Sequence, residues 1–308
     1  MTTASQTPAS QTPTPGKLNL DHIAHFVPHI DAAGAALEQA GFTLSPFSEQ
    51  SHRLEPGGPL VPAGSGNRCV MLRDGYLEFL TPTADTPIAH QLRVAIQRYT
   101  GVHLIALGTS DPEADHARLH KNGYAPLTPV ALQREIGTAD GKDTARFTVV
   151  RVPPGTMAEG RIQYCQHHTP QLLWQSRWLD HANHARGLAA IIVCVADPQE
   201  AAQRYARYTG LLAQVAATHW RIDTQRGALL FVTPAVIEQQ FGMAAPSAPW
   251  IAGYVLTSDD MAATQQLLRK NNCDTQPWAA GRVLMQWPGS VGGIVLFQQS
   301  GMALPVFD

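Results

Sequence analysis

Two histidines and one glutamate are the first candidates for chemistry, because each lies in a stretch that predicts a β-strand. In residues 18–31, LNLDHIAHFVPHID, alternate residues face opposite sides of the strand. His22 and His25 therefore point in opposite directions, and only one of them can line a given cavity. Glu78 lies between two large apolar residues in a second such stretch. A carboxylate in an apolar interior is costly without a cation or hydrogen-bond partners, so Glu78 is either a functional group or a solvated residue on the outer face.

A second group of histidines lies between residues 165 and 188. His167 and His168 are adjacent in the sequence, so they cannot both point to the same side of a strand. Together with His181 and His184, they are expected to have a structural role in the connection between two domains. The alternative is that one of them reaches the rim of a cavity.

The composition indicates a globular protein with no electrostatic reason to bind nucleic acid or a membrane. The chain has 308 residues, of which 44% are hydrophobic and 15% charged, with a net charge of −2. No run of about 18 apolar residues predicts a membrane span. The four cysteines are dispersed, which favours buried thiols in a reducing compartment. Residues 1–16 contain SQTP twice and lack the features of a signal peptide, so we expect a disordered tail and a cytoplasmic protein.

The order of predicted elements repeats four times along the chain. Each unit starts with a strand and a helix, and further strands follow. The residues expected to start the four helices are Asp31, Asp111, Asp197, and Asp259 or Asp260. In the first unit, Asp74-Gly75 predicts a hairpin between two strands, whereas the Gly/Pro-rich residues 55–66 predict a loop. Phosphate-binding glycine motifs, a GxSxG motif and a helical HExxH motif do not occur.

Four such βαβββ units resemble the vicinal-oxygen-chelate (VOC) superfamily, which includes glyoxalase I, fosfomycin-resistance proteins and extradiol dioxygenases. The resemblance is to its glyoxalase-like-domain group. It depends on LDHIAHFVPHIDAAG (20–34), GYLEFLTP (75–82), and CQHHTPQLLWQ followed by HANHARGL (165–188). It covers residues 18–298 and implies an α+β protein with two tandem VOC domains. The implied boundaries are an N-terminal domain at 17–170, a linker at 171–186 and a degenerate C-terminal domain at 187–308.

In this superfamily, a divalent metal is held by the first and last strands of each unit. The resemblance implies His22 and Glu78 as ligands from the first unit, and His103 and Gln163 from the second. Two departures affect this set. His103 is one residue out of register, so a bulge must restore its inward direction. Gln163 replaces a carboxylate, and a neutral amide oxygen is a weaker ligand. Units three and four offer no such residues, which predicts a metal-free partner domain.

The leading hypothesis is a metal-dependent enzyme that acts on a small oxygen-bearing organic molecule. A Zn, Ni, Mn or Fe ion would be the Lewis acid, and Glu78 would move a proton. Isomerase or lyase chemistry of the glyoxalase type is preferred, and a dioxygenase is next, because a His-His-Glu set also suits non-haem iron. The alternative is a non-catalytic protein that binds a small molecule without metal. A homodimer is compatible with either.

Overall fold

The computed structural model describes residues 11–53, 58–139, 141–279 and 281–307. The described residues form sixteen β-strands and six α-helices, with the strands and four of the helices arranged in four βαβββ units, which confirms the predicted α+β architecture. The first unit consists of β1 (Asn19–Phe26), α1 (Ile30–Gln39), β2 (Ser48–Arg53), β3 (Leu60–Met71) and β4 (Tyr76–Pro82). After α2 (Pro87–Arg98), the second unit consists of β5 (Gly101–Gly108), α3 (Pro112–Lys121), β6 (Val130–Thr138), β7 (Gly141–Arg151) and β8 (Arg161–His167).

Two short 3₁₀ turns, Pro170–Leu172 and Ser176–Trp178, lead into the second half of the chain. Its third unit consists of β9 (Ala185–Cys194), α4 (Pro198–Thr209), β10 (Ala213–Ala216), β11 (His219–Asp223) and β12 (Ala228–Val232), and α5 (Pro234–Phe241) follows. The fourth unit consists of β13 (Trp250–Ser258), α6 (Met261–Lys270), β14 (Thr275–Trp278), β15 (Arg282–Gln286) and β16 (Ile294–Gln299). No helix among the described residues is long and apolar enough to cross a membrane.

The strand pairing is the same in all four units. The first strand of each unit pairs in parallel with the last, and the remaining strands extend the sheet in antiparallel order. Units one and two join through antiparallel pairing of β1 with β5, and units three and four through β9 with β13. The outermost strands β2 and β6 approach each other, so the first half forms an incompletely closed barrel. Residues Val102 and Ile251 pair across the two halves.

Three of the predicted helix starts are confirmed. Asp111, Asp197 and Asp260 each accept a hydrogen bond from a backbone N–H one turn ahead, at 2.9–3.0 Å. The prediction for Asp31 is wrong, because α1 begins at Ile30 with His29 as its N-cap. Asp31 instead lies in the first helical turn, where a carboxylate still interacts favourably with the helix dipole.

The loop predicted over residues 55–66 is wrong from Leu60 onward, because β3 begins there; residues 54–57 lie outside the described part of the chain. The Pro and Gly residues are accommodated because the pairing of β2 with β3 is irregular at this point. Of the predicted tail, residues 1–10 are also outside the described residues. In residues 11–16, the Gln11 side chain donates to the Arg73 carbonyl at 2.7 Å.

The inner face of the second half is filled by its own chain. Leu230, Ala252 and Leu296 belong to a fully buried apolar cluster there. Helix α5 contributes Ile237 and Phe241 to this cluster, and Phe307 completes it with no exposed surface. The residues that cover this inner face are apolar, so the face is packed as a hydrophobic core and not lined as a polar cleft.

Candidate functional site

Apolar clusters cover two ends of the inner face of the first half. At one end, Leu92 of α2 packs on Phe26 and Leu104. At the other, the linker contributes Leu173, Trp174 and Leu179 to a cluster on β3 and β4, and the indole N–H of Trp174 donates to the Leu72 carbonyl at 2.9 Å. Between these two apolar clusters lies a set of polar side chains that we name the polar band. Its members are His22, Asn67, Glu78, Arg134, Arg151, Arg161 and Gln163.

A β-bulge places an aspartate beside the first of these residues. In the pairing of β1 with β5, Leu20 opposes Leu107 and His22 opposes Ala106, so Asp21 is an extra residue on β1. The bulge brings Asp21 to the same side as His22, where it is completely buried. The Nδ1–H of His22 donates to Asp21 Oδ2 at 2.6 Å, and the imidazole stacks on Tyr76 at 4.2 Å between ring centroids.

The hydrogen bond to Asp21 leaves the other ring nitrogen of His22 available. A carboxylate accepts, so Nδ1 carries the proton and Nε2 has a free lone pair in the neutral ring. Nε2 has no partner among the described residues, yet it is absent from their fully buried unpaired polar atoms. The small exposed part of the His22 side chain, 4%, therefore includes this nitrogen. This is the arrangement of an imidazole that accepts a proton while a buried carboxylate fixes its tautomer.

Asp21 has a second histidine partner at the end of β8. His167 Nε2 donates to the same Oδ2 atom at 3.0 Å, and Cys165 Sγ lies 3.8 Å from that nitrogen. Burial alone would raise the pKa of Asp21, but the His167 charge and the hydrogen bonds from both histidines lower it well below its usual range. Burial likewise opposes protonation of His167, but Asp21 raises its pKa to about 10. The two residues form a buried ion pair.

Glu78 is held by an amide rather than by a cation. Asn67 Nδ2 donates to Glu78 Oε1 at 2.5 Å, and Arg134 Nη1 reaches from β6 to Asn67 Oδ1 at 3.4 Å. Glu78 is half-buried and makes no ion pair within the described part of the chain. The carboxylate therefore has hydrogen-bond support on one oxygen and access to the band on the other.

Two further arginines lie on the same face of the second unit, and the charge of Glu78 acts on one of them, Arg151. Arg151 pairs with Gln163 across β7 and β8, and Arg161 lies two residues before Gln163 on the same face. Arg161 Nη2 donates to Gln91 at 2.8 Å, and its guanidinium carbon lies 5.3 Å from the Phe26 ring centroid. Removal from bulk water lowers the pKa of both arginines, and the Arg151 charge lowers that of Arg161 further.

The structure does not bring the four predicted metal ligands together. The expected bulge is present at His103, but its ring is stacked 4.0 Å from Tyr99, and its Nε2 bonds to the Tyr99 carbonyl at 2.8 Å. Burial lowers the pKa of His103 to about 4. By strand pairing, the position in the second unit that matches His22 is Leu104, while Gln163 matches Glu78.

This donor set does not fit the metal that the superfamily implies. Leu104 has no donor atom, Gln163 is neutral and His103 is engaged elsewhere. Throughout the described ranges, the one group of three or more His, Cys, Asp or Glu donors within 4.8 Å of one another is Asp21, Cys165 and His167. Tetrahedral ligands at about 2.0–2.3 Å from a metal lie about 3.4–3.6 Å apart. The separations of 3.0 and 3.8 Å bracket that range.

Three other histidines, His25, His168 and His181, have structural partners. His25 points away from the band, and its Nδ1 donates to the Val291 carbonyl at 3.1 Å. His168 is exposed and bonds to Thr148. His181 donates to the Met71 carbonyl at 2.9 Å and accepts from the Thr43 N–H at 3.1 Å, so it fixes the linker against the barrel.

Sequence reasoning missed Asp21 and the three arginines of the band. Regular strand alternation predicts that Asp21 faces away from His22, because such alternation does not allow for the bulge. A signal for the others exists in β8, where Arg161, Gln163, Cys165 and His167 follow one another at every second residue. Such a run of polar residues on one side of a strand that also carries buried Ile162 and Tyr164 indicates a polar inner face.

A curved sheet of paired βαβββ units around one polar inner face is the VOC architecture, as the sequence resemblance predicted. The chain belongs to the glyoxalase-like domain family, whose sequence model matches residues 20–209. A comparison with curated protein sequences gives no significant match.

Solved structures with low sequence identity share the fold. A hypothetical protein from Staphylococcus aureus is 10% identical with a TM-score of 0.62, covering 92% of this chain and 99% of that chain. A variant of 4-hydroxymandelate synthase from Streptomyces coelicolor is 12% identical with a TM-score of 0.55, covering 94% and 95%. A Mn(II)-bound glyoxalase from Novosphingobium aromaticivorans is 11% identical with a TM-score of 0.50, covering 91% and 81%. The structural neighbours thus include a glyoxalase with bound Mn(II) on this fold.

Proposed function

We propose that this protein is an enzyme of the isomerase or lyase type, which transfers a proton on a small oxygen-bearing organic molecule in the polar band. The observation that carries the proposal is the Asp21–His22 hydrogen bond of 2.6 Å, which engages Nδ1 and leaves His22 Nε2 without a partner among the described residues. His22 would accept a proton from a carbon next to a carbonyl group. Glu78, held by Asn67, is the second group that can give or take a proton.

Hydrogen exchange tests this proposal without knowledge of the product. The protein is incubated in D₂O with a panel of small hydroxy- and oxo-compounds, and loss of C–H signals is followed by proton NMR. We expect exchange in at least one compound with the wild-type protein. Positioned acid–base groups contribute about 10²–10⁴-fold in rate, so His22→Gln should slow the exchange at least about 100-fold.

The matched control is His168→Gln, because His168 is an exposed histidine outside the band. It should exchange at the wild-type rate. Asp21→Asn should also slow exchange, because the amide no longer fixes the productive tautomer. If no compound exchanges, or if His22→Gln exchanges as fast as the wild-type protein, the proposal fails.

A metal-dependent enzyme is the second candidate, and the convergence of Asp21, Cys165 and His167 favours it. These three residues would hold a divalent ion, which would polarise a carbonyl or hydroxyl oxygen. Elemental analysis of protein loaded with Zn²⁺, Mn²⁺, Ni²⁺ or Fe²⁺ separates the candidates. A stoichiometric metal that is lost in Cys165→Ser but retained in Cys194→Ser supports the metal enzyme, because Cys194 is a buried thiol in the second half. Protein that retains none of these ions contradicts it.

A further inference from the structure

The charges on the polar band are unbalanced. Arg134, Arg151 and Arg161 share the band with one carboxylate, Glu78, and none of the three forms an ion pair with any described residue. The excess of positive charge is local, because the whole chain carries a net charge of −2. Arg134 and Arg161 are half-buried, and guanidinium ions partly withdrawn from water are costly unless an anion compensates them, whereas Arg151 is exposed.

The three arginines are not equally engaged. Arg134 donates to Asn67 and lies 5.9 Å from the Phe147 ring centroid. Arg161 is fixed by Gln91 and Phe26. Arg151 has neither a hydrogen bond nor an ion pair from its guanidinium to a described residue, and its strand partner is Gln163, a neutral donor and acceptor. Arg151 is therefore the arginine whose donors are available to a ligand.

The positions of Arg151 and Arg161 suit a single anionic group. Diagonal neighbours on adjacent antiparallel strands lie about 7–8 Å apart, within reach of long side chains converging on one ligand. Guanidinium groups present paired N–H donors that match the two oxygens of a carboxylate or a phosphate.

We infer that the polar band binds a small organic oxyanion, with Arg151 as its principal contact and Arg161 as its second. The inference names the substrate class for the proposed function and rests on that function, because both place the substrate at the polar band. An anion bound there would lie between the arginines and the Asp21–His22 pair. A carbon next to a carboxylate or oxo group would then be close to His22 Nε2, and the arginines would stabilise negative charge that develops on the oxygens.

Calorimetric titration with malonate and, separately, with inorganic phosphate tests the inference and distinguishes a carboxylate from a phosphate group. We expect one of the two ions to bind the wild-type protein, with an affinity that falls as NaCl is added. Arg151→Gln should weaken binding at least about tenfold, because a charge-assisted hydrogen bond is lost. The matched control is Arg207→Gln, which removes an exposed arginine from α4 in the other half, and it should bind within a factor of about two.

Two further measurements keep the result interpretable. Urea unfolding of Arg151→Gln should match the wild-type protein, which shows that weaker binding is not a loss of folding. His22→Gln should bind the anion normally while losing hydrogen exchange, so a failure of the proposed chemistry is distinguishable from a failure of anion binding. The inference is overturned if neither ion binds at about 10 mM, or if Arg151→Gln and Arg207→Gln weaken binding equally.

Discussion

Acidification should destabilise this protein steeply below pH 6.5. Burial lowers the pKa of three histidine rings, His25 to about 3 and His103 and His181 to about 4. Backbone hydrogen bonds raise these pKa values only partly, and at His103 the charges of Arg98 and Arg161 lower the pKa further. Because each pKa is lower in the folded than in the unfolded chain, the unfolded chain binds more protons between pH 6.5 and 4. Acid therefore favours unfolding.

The size of the effect depends mainly on the unfolded chain. An unfolded histidine has a pKa of about 6.5, so at pH 5 each ring that stays neutral in the fold costs about 2 kcal/mol. Three such rings cost about 6 kcal/mol, a large part of the 5–15 kcal/mol that stabilises an ordinary protein. The Asp21–His167 pair offsets little of this loss. Its His167 contribution is complete below pH 6.5 and is lost only as the pH rises towards 10, while that of Asp21 is lost only below about pH 4.

Urea unfolding followed by tryptophan fluorescence at pH 7, 6 and 5 measures this slope. His25→Leu removes one of the three rings, so its free energy of unfolding should fall about one third less over this range than that of the wild-type protein. The absolute stability of the variant will be lower, because the hydrogen bond to Val291 is lost, but the slope is the informative quantity. His168→Gln should keep the wild-type slope. A wild-type protein equally stable at pH 7 and 5 would refute the reasoning, and so would an unchanged slope in His25→Leu.

Two more outcomes can be measured independently. Phe307→Ala should destabilise the protein by about 3–5 kcal/mol in urea unfolding, because this fully buried ring fills the second half. As a control, Val306→Ala at the exposed neighbouring residue should change the stability by less than about 0.5 kcal/mol. Equal effects of the two variants would contradict the packing argument. The double variant Leu104→His and Gln163→Glu should bind stoichiometric Zn²⁺ or Mn²⁺ beyond the wild-type content in elemental analysis. It supplies the two missing donors of the superfamily site next to His22. If the variant gains no metal, the strand register argued above is wrong.

Much of the architecture was readable from local signals. Aspartates before proline marked α3 and α4, because a side-chain cap and a preset φ both favour a helix start there. The short strands β10 and β14 and the helix α5 were not predicted. Strands β10 and β14 each have only four residues, some of them exposed, so they are too short for hydrophobic alternation to be detected.

The functional residues were less predictable, because the site depends on irregularities. Bulges reverse the facing of neighbouring residues, and one such bulge brings Asp21 to His22 while another sends His103 to Tyr99. His22 and Glu78 were correctly expected on strands, and the structure places both on the inner face. The partners that determine their chemistry come from distant segments, and a pattern read along one strand carries no information about them.

The linker between the two halves has a consequence for anyone who dissects the chain. Its residues Leu173, Trp174 and Leu179 belong to the apolar cluster at one end of the polar band. The ring centroids of Trp174 and His167 are 5.0 Å apart. A fragment that ends with β8 would therefore keep every residue of the polar band yet expose the apolar end of the barrel to water. The smallest fragment that retains the intact cleft must extend through Leu179.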